Sequence, residues 1–170
     1  KIKFEIGSGK EFLFRVLQNK YDFVFFMGSE KNGEEVQNYC NKRKIEYLGE
    51  YEGNDWAIIF NGNLEKITDK IAKNITFKEG KDCDSIKGVL IQKKAYEKTT
   101  KLLREKLSGL YIEENPSNKT ITSPEFCSSL WVKQFNSEEE ILDFYKKNKY
   151  GLSVAIFNKN LKKALKLARK

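Results

Sequence analysis

One cysteine and two neighbouring carboxylates are the residues of this sequence best suited to chemistry. Cys83 stands in the segment 79–85, directly before an apolar stretch that predicts a strand. Glu50 and Glu52 flank a tyrosine at the end of another predicted strand, where α/β proteins place general bases. A nucleophilic thiol needs exposure and a lowered pKa, and the mixed charges around Cys83 do not by themselves favour that state. From its neighbours alone, Cys83 is better explained as an ordinary loop cysteine.

The residue types that are missing narrow the chemistry further. The chain has no histidine, which excludes Ser-His and Cys-His catalysis within it. The three cysteines form no CxxC pair, so their spacing disfavours a zinc site and a disulfide framework, and no metal site is predicted. Cys40 fits a buried small hydrophobe, and Cys127 has no partner group in the sequence. A reducing, cytoplasmic setting is the simplest expectation.

A glycine-serine turn is the other candidate site. Gly28 and Ser29 follow the apolar segment 22–27 and precede a predicted helix. Gly28 would let a ligand approach the backbone, Ser29 would cap the helix, and free amides at a helix start favour an anion. An ordinary strand-to-helix turn explains the same residues equally well.

The sequence predicts alternating strands and helices, and these elements must position the candidate residues. Predicted strands lie at residues 2–6, 22–27, 45–49, 56–60, 88–92, 131–135 and 152–157. Predicted helices lie at residues 11–17, 30–42, 64–77, 94–107, 137–145 and 161–169, and residues 113–123 are predicted to form a loop. This alternation predicts a three-layer α/β/α fold with a mostly parallel sheet.

Composition limits the partners. The net charge is +8, from 32 basic and 24 acidic residues, but the lysines are dispersed and no RNA-binding aromatic motif accompanies them. Nucleic-acid binding is therefore disfavoured. No apolar stretch approaches the roughly 18 residues of a membrane span, and no signal peptide is visible. The chain lacks an initiator methionine and stops inside a helical pattern, so we expect a piece of a longer protein.

Two segments resemble motifs of the aldehyde dehydrogenase superfamily. Residues 26–33 are similar to the family's Phe-Thr-Gly-Ser-x-x-x-Gly, with Met27 in place of the threonine. Residues 49–53 stand where the family has Leu-Glu-Leu-Gly-Gly. In this resemblance Glu50 falls on the general base, and Glu52 replaces the first glycine of the pair.

The resemblance extends to the thiol and beyond. Residues 80–83 resemble the family's Gly-Gln-x-Cys, and the separation of Cys83 from Glu50 is within one residue of the family's. Glu125 stands where the glutamate of Glu-x-Phe-Gly-Pro holds the nicotinamide ribose, although the aromatic, Gly and Pro positions differ. Two further segments match, residues 135–140 and 150–157.

This resemblance implies two parts of a larger fold. Residues 1–53 would be the C-terminal part of a dinucleotide-binding, Rossmann-like half, and residues 54–170 a shortened catalytic half that carries the nucleophile. The interval from Cys83 to Glu125 is shorter than is usual in the family. The N-terminal cofactor half, with its oxyanion-hole asparagine, and the closing C-terminal strand lie outside this chain.

The implied activity is oxidation of a small-molecule aldehyde with NAD or NADP. Cys83 would attack the carbonyl, and Glu50 would activate the water that hydrolyses the thioester. Gly28 and Ser29 would lie near the pyrophosphate, and Glu125 near the ribose. Two alternatives remain open: an acyl-CoA or acyl-phosphate reductase of the same superfamily, and a catalytically inactive scaffold or binding module. Self-association into a homo-oligomer is a further expectation.

Overall fold

Helices and strands alternate through residues 6–18, 21–122 and 129–170, the parts of the chain that this computed structural model describes. The strands are β1 (Phe23–Met27), β2 (Glu46–Glu50), β3 (Asp55–Ile59), β4 (Ile86–Gln92), β5 (Tyr111–Glu114), β6 (Ser129–Phe135) and β7 (Val154–Phe157). The helices are α1 (Gly9–Gln18), α2 (Glu30–Arg43), α3 (Leu64–Thr76), α4 (Tyr96–Lys106), α5 (Asn118–Thr122), α6 (Glu138–Lys147) and α7 (Leu161–Ala168). The chain divides into two compact units, Lys1–Glu52 and Gly53–Lys170.

The first unit contains α1, β1, α2 and β2. The two strands pair in parallel, with Met27 opposite Glu50 at the end of the ladder. Helix α2 begins at the N-cap Ser29 and ends at Lys44, whose left-handed conformation terminates the helix. Val24, Val36 and a fully buried Cys40 form the core between the strands and the helix. Burial raises the pKa of the Cys40 thiol, so this cysteine packs as a hydrophobe and does not act as a thiolate.

The second unit is built on a five-stranded sheet in the order β5-β6-β4-β3-β7. Each of its four pairings is parallel. The central strand β4 is buried on both faces, which explains its continuous apolar sequence.

Helices cover both faces of this sheet. Alternate residues of each strand point to opposite sides, so Ala57 and Ile59 face α3 and α4, whereas Trp56 and Ile58 face the other layer. That second layer contributes a buried side chain from each of its three helices: Ile121 of α5, Ile141 of α6 and Leu167 of α7. Because apolar side chains on both faces of the sheet are removed from water, the unit is a three-layer α/β/α structure.

The predicted α/β class with parallel sheets is confirmed, and most predicted elements lie within two residues of their observed bounds. The predicted loop at residues 113–123 is wrong, because β5 enters this segment and α5 lies inside it. Both elements are too short to show a period: β5 has four residues at the sheet edge, and α5 has five with only Ile121 fully buried. The strand predicted at residues 2–6 lies almost wholly outside the described residues.

Candidate active site

Cys83 lies exposed in the loop that joins α3 to β4. A short 3₁₀ turn, Phe77–Gly80, opens this loop, and three consecutive residues adopt left-handed backbone angles: Lys78 (φ 46°), Glu79 (φ 59°) and Gly80 (φ 69°). Left-handed conformations are costly for residues other than glycine, so the surrounding structure must impose this path.

Contacts from both sides of the loop hold it in place. Lys87 of β4, only 6% exposed, donates a hydrogen bond from Nζ to the carbonyl of Gly80. The side-chain oxygen of Asn74 in α3 accepts the amide of Ile86 at 2.7 Å. A buried ammonium requires polar partners, so Lys87 ties the start of β4 to the turn that precedes the thiol.

The charged side chains of the loop pair with one another. Lys78 Nζ lies 3.1 Å from Asp82 Oδ1, and Lys81 forms an ion pair with Glu79. Both pairs are largely exposed, and such pairs contribute little to stability. The opposite charges beside Cys83 therefore compensate, in agreement with the balance seen in the sequence.

Gly53 contacts the backbone of the loop that carries Cys83. A Cβ atom added to Gly53 would lie 1.6 Å from the carbonyl oxygen of Cys83 and 3.2 Å from Leu152 Cδ1. Only glycine has room at this position. Gly53 is the last residue of the 49–53 motif, so the need for glycine there has a direct physical cause.

The chain beyond Gly53 is fixed by buried polar residues. Asp55 Oδ1 accepts the amides of Leu152 and Ser153 at 2.7 and 2.8 Å, and Asp55 Oδ2 accepts the hydroxyl of Ser153 at 2.5 Å. The side-chain nitrogen of Asn54 donates to the carbonyl of Ile121 at 2.8 Å. These contacts anchor residues 152 and 153, which lead into β7, beside the segment that supports Cys83. No sequence pattern near Asp55 indicates this network, so it becomes visible only in the folded chain.

In the first unit, the Gly28-Ser29 turn and Glu50 lie side by side. The amide of Gly28 donates to the carbonyl of Glu50 at 3.1 Å, which extends the ladder between the two strands. Ser29 Oγ accepts the amide of Asn32 at 3.4 Å and caps α2. The side chain of Glu50 is exposed and has no hydrogen-bond or ion-pair partner among the described residues.

The neighbouring carboxylate of Glu52 is engaged instead. Its Oε2 accepts the amide of Glu30, the first residue of α2, at 2.8 Å. The two glutamates that flank Tyr51 thus differ: the Glu50 carboxylate is exposed to solvent, whereas the Glu52 carboxylate binds the first amide of α2.

Two tyrosine side chains explain why residue 33, the last position of the 26–33 motif, is a glycine. A Cβ on Gly33 would lie 2.1 Å from Tyr51 Cε1, and the hydroxyl of Tyr47 donates to the carbonyl of Gly33 at 3.1 Å. The hydroxyls of Tyr47 and Tyr51 are 3.2 Å apart, and burial is the main cause that raises the pKa of Tyr47. Gly33 therefore makes room for the Tyr51 ring against α2.

The predicted site residues thus fall into three groups. Gly28, Ser29 and Glu50 lie together in the first unit, and Cys83 lies in the second. Glu125 lies outside the described residues. In the part of the chain that the structure describes, no group of three or more Cys, Asp or Glu side chains is arranged to hold a metal ion.

Comparison with known proteins identifies the family. The sequence model of the aldehyde dehydrogenase family matches residues 3–126, which is more than half of the chain. The chain belongs to the aldehyde dehydrogenase family. No curated protein sequence matches it significantly.

Solved structures of related proteins share the fold. PutA from Anabaena variabilis is 22% identical and superimposes with a TM-score of 0.85, over 96% of this chain and 47% of its own. Betaine aldehyde dehydrogenase from Staphylococcus aureus, in complex with NAD⁺, is 16% identical with a TM-score of 0.79, over 87% of this chain and 41% of its own. Indole-3-acetaldehyde dehydrogenase AldA from Pseudomonas syringae, as a C302A mutant with NAD⁺ and IAA, is 17% identical with a TM-score of 0.78, over 87% and 42%. The chain therefore spans about half the length of these aldehyde dehydrogenase-fold structures.

Membership of the family raises the question of whether a dinucleotide fits the start of α2. The Ser29 hydroxyl and the Glu52 carboxylate already accept the amides of Asn32 and Glu30. A pyrophosphate would meet a carboxylate of the same charge, and two of the amides at this helix start are already taken. In the observed arrangement, the residues present do not fit a pyrophosphate at this helix start.

In the described part of the chain, no helix has the length and apolar character needed to cross a bilayer.

Proposed function

We propose that this chain is the thiol-bearing part of an enzyme that oxidises aldehydes, with Cys83 as the nucleophile and Glu50 as the general base. The observation that carries the proposal is the exposed Cys83 thiol in a loop whose backbone packs tightly on Gly53. In the first unit, Glu50 has an exposed carboxylate with no hydrogen-bond partner among the described residues, and its role as the base follows from the resemblance to the family.

The first chemical step uses only groups of this chain. The Cys83 thiol loses its proton to Glu50 or to water, and the thiolate sulfur then attacks the aldehyde carbon. A C–S bond forms while the carbonyl π bond breaks, and the oxygen takes up a proton to give a thiohemiacetal. The strained and anchored loop supports this role, because a nucleophile gains from being held in one orientation.

Conversion of this adduct to an acid requires a two-electron acceptor. Two of the related structures are complexes with NAD⁺, and we take NAD or NADP as that acceptor. Glu50 would then act on the oxidised adduct: it takes a proton from water, whose oxygen attacks the thioester carbon, and the thiolate of Cys83 leaves. Gly28 and Ser29 keep their assignment near the pyrophosphate only if Glu52 is displaced, and Glu125 keeps its assignment at the ribose.

A second candidate function is a catalytically inactive, aldehyde dehydrogenase-like module. The observation that favours it is the Glu52 carboxylate at the start of α2. Such a module would retain the fold and an exposed cysteine, but its thiol would have ordinary reactivity.

Thiol labelling separates the two candidates without any cofactor. We expect iodoacetamide to alkylate Cys83 at neutral pH faster than it alkylates a free cysteine peptide, with the buried Cys40 as an unreactive internal reference. Mass spectrometry of peptides gives each rate. Cys83 reacting no faster than the peptide would refute the catalytic proposal and support the inactive module.

An activated ester tests the carboxylate in the same cofactor-free way. Acyl transfer from p-nitrophenyl acetate to Cys83 would release p-nitrophenolate, and water activated by Glu50 would then hydrolyse the acyl-enzyme. We expect Cys83→Ser to abolish the initial burst, and Glu50→Gln to keep the burst but slow turnover by about 100-fold. Glu46→Gln, at the other end of β2, is the matched control and should behave as the unaltered protein.

A further inference from the structure

The start of α2 is capped from a distant part of the chain. Ser29 is a local cap, but the carboxylate on the amide of Glu30 comes from Glu52, 22 residues further on and beyond the end of β2. The contact at 2.8 Å is short enough for a charge-assisted hydrogen bond, and it is partly buried. It therefore depends on the packing of β2 beside the helix, and not on local sequence.

The electrostatics of this position favour one anion. Aligned peptide dipoles place roughly half a positive charge at a helix start, and its free amides point toward the ligand. A carboxylate there satisfies one of these amides and cancels much of the charge. A second anion would lose that attraction and would also be repelled by the first, because solvent screens such close charges poorly in a partly buried site.

We infer that Glu52 is an internal anion that fills the phosphate position at the start of α2 and sets the affinity of this protein for a dinucleotide. A pyrophosphate binds only when the Glu52 side chain moves away, so the affinity is lowered by the cost of displacing it. This inference rests on the proposed function in one respect, the choice of NAD or NADP as the acceptor. It goes beyond that function because it assigns control of cofactor binding to Glu52, which is neither the proposed nucleophile Cys83 nor the proposed base Glu50.

Two substitutions of Glu52 separate its charge from its bulk. Glu52→Gln keeps the size and a hydrogen-bond acceptor for the Glu30 amide but removes the negative charge. Glu52→Gly removes the side chain and frees the amide of Glu30. We expect Kd for NAD⁺, measured by calorimetry, to fall by about tenfold in the glutamine variant and by more in the glycine variant.

Inorganic pyrophosphate locates the effect on the molecule. In ¹⁵N-resolved NMR titrations, we expect it to shift the amides of Glu30 and Lys31 in both Glu52 variants, and much less in the unaltered protein. Glu46→Gln makes the same change in net charge on the same strand and should leave both Kd and these shifts unchanged.

Each outcome decides the matter. The inference is supported if both Glu52 variants bind NAD⁺ more tightly and show larger amide shifts at the start of α2, whereas Glu46→Gln behaves as the unaltered protein. Equal affinity in all the proteins, or no detectable NAD⁺ binding in any of them, overturns it, because Glu52 would then not be what controls the position. Ester hydrolysis by Cys83 needs no dinucleotide, so failure of the proposed function would appear there and not in these titrations.

Discussion

The carbonyl oxygen of Cys83 lies against Gly53 so closely that a Cβ added to the glycine would be 1.6 Å away. This is a backbone-to-backbone contact, so no rotation of a side chain could relieve the clash. The orientation of the thiol loop therefore depends on the absence of a side chain at a residue distant from it in sequence.

The substitution Gly53→Ala should displace the loop that carries Cys83. We expect a loss of about 1–3 kcal/mol in the free energy of unfolding, as for other overpacked sites, measured by urea denaturation. We also expect the alkylation rate of Cys83 to change because the thiol is moved. Gly9→Ala is the control: an added Cβ there meets no atom within 4 Å, so stability should stay within about 0.5 kcal/mol. If Gly53→Ala matched this control in both measurements, the close contact would not exist in solution.

Replacing Asp55 by asparagine should weaken the anchor of residues 152 and 153. Asp55 is 2% exposed, and its two oxygens accept three hydrogen bonds. The substitution exchanges charged for neutral acceptors and turns one oxygen into a donor, so we expect a cost of about 2 kcal/mol in urea denaturation. Asp143→Asn, exposed on α6, changes the net charge equally and should be nearly neutral. Equal stabilities of the two variants would refute a structural role for Asp55.

Tyr96 should make the second unit sensitive to alkaline pH. Burial raises the pKa of Tyr96 to about 12, and the Glu114 carboxylate, 3.2 Å from its hydroxyl, adds to this effect. A raised pKa stabilises the folded state below the ordinary tyrosine pKa, and this stability is lost as the pH rises toward the folded value. From about pH 9 to about pH 11.5, the unaltered protein should therefore lose on the order of 2 kcal/mol more than Tyr96→Phe.

The control for this pH dependence is Tyr111→Phe on the edge strand β5. Tyr111 is 69% exposed, so its removal should leave the alkaline slope as it is in the unaltered protein. Denaturation curves at several pH values give the slopes. A Tyr96→Phe protein with the same slope as the unaltered one would show that Tyr96 titrates normally.

Gly88 should be irreplaceable because it accommodates a tryptophan. It pairs with Trp131 across β4 and β6, and a Cβ on Gly88 would lie 1.8 Å from Trp131 Cε2. Trp131 also stacks edge-on with Trp56 at 5.4 Å, so it has little freedom to move. We expect Gly88→Ala to cost about 2–3 kcal/mol, and Trp131→Phe to recover part of that loss in the double variant. Strictly additive effects in the double-mutant cycle would contradict this account.

Much of the fold could be predicted from the sequence because its elements are strongly patterned. Strands β3 and β4 are continuous apolar segments that are buried along their length, and the amphipathic helix α3 shows its buried face as a local period. The strand order of the five-stranded sheet could not be predicted, because pairing partners far apart in sequence leave no local signal. The same limit hid β5 and α5, whose few residues gain their structure from neighbours in space.

The order and spacing of Gly28, Ser29, Glu50 and Cys83 were determined by the sequence alone, and so was the resemblance that gave these residues candidate roles. Only the tertiary structure showed that Glu50 is unengaged among the described residues whereas Glu52 caps α2, and that Gly53 supports the Cys83 carbonyl. The reason is physical. Periodicity records which face of one element is buried, but a hydrogen bond or a close backbone contact between distant residues exists only after the elements have packed.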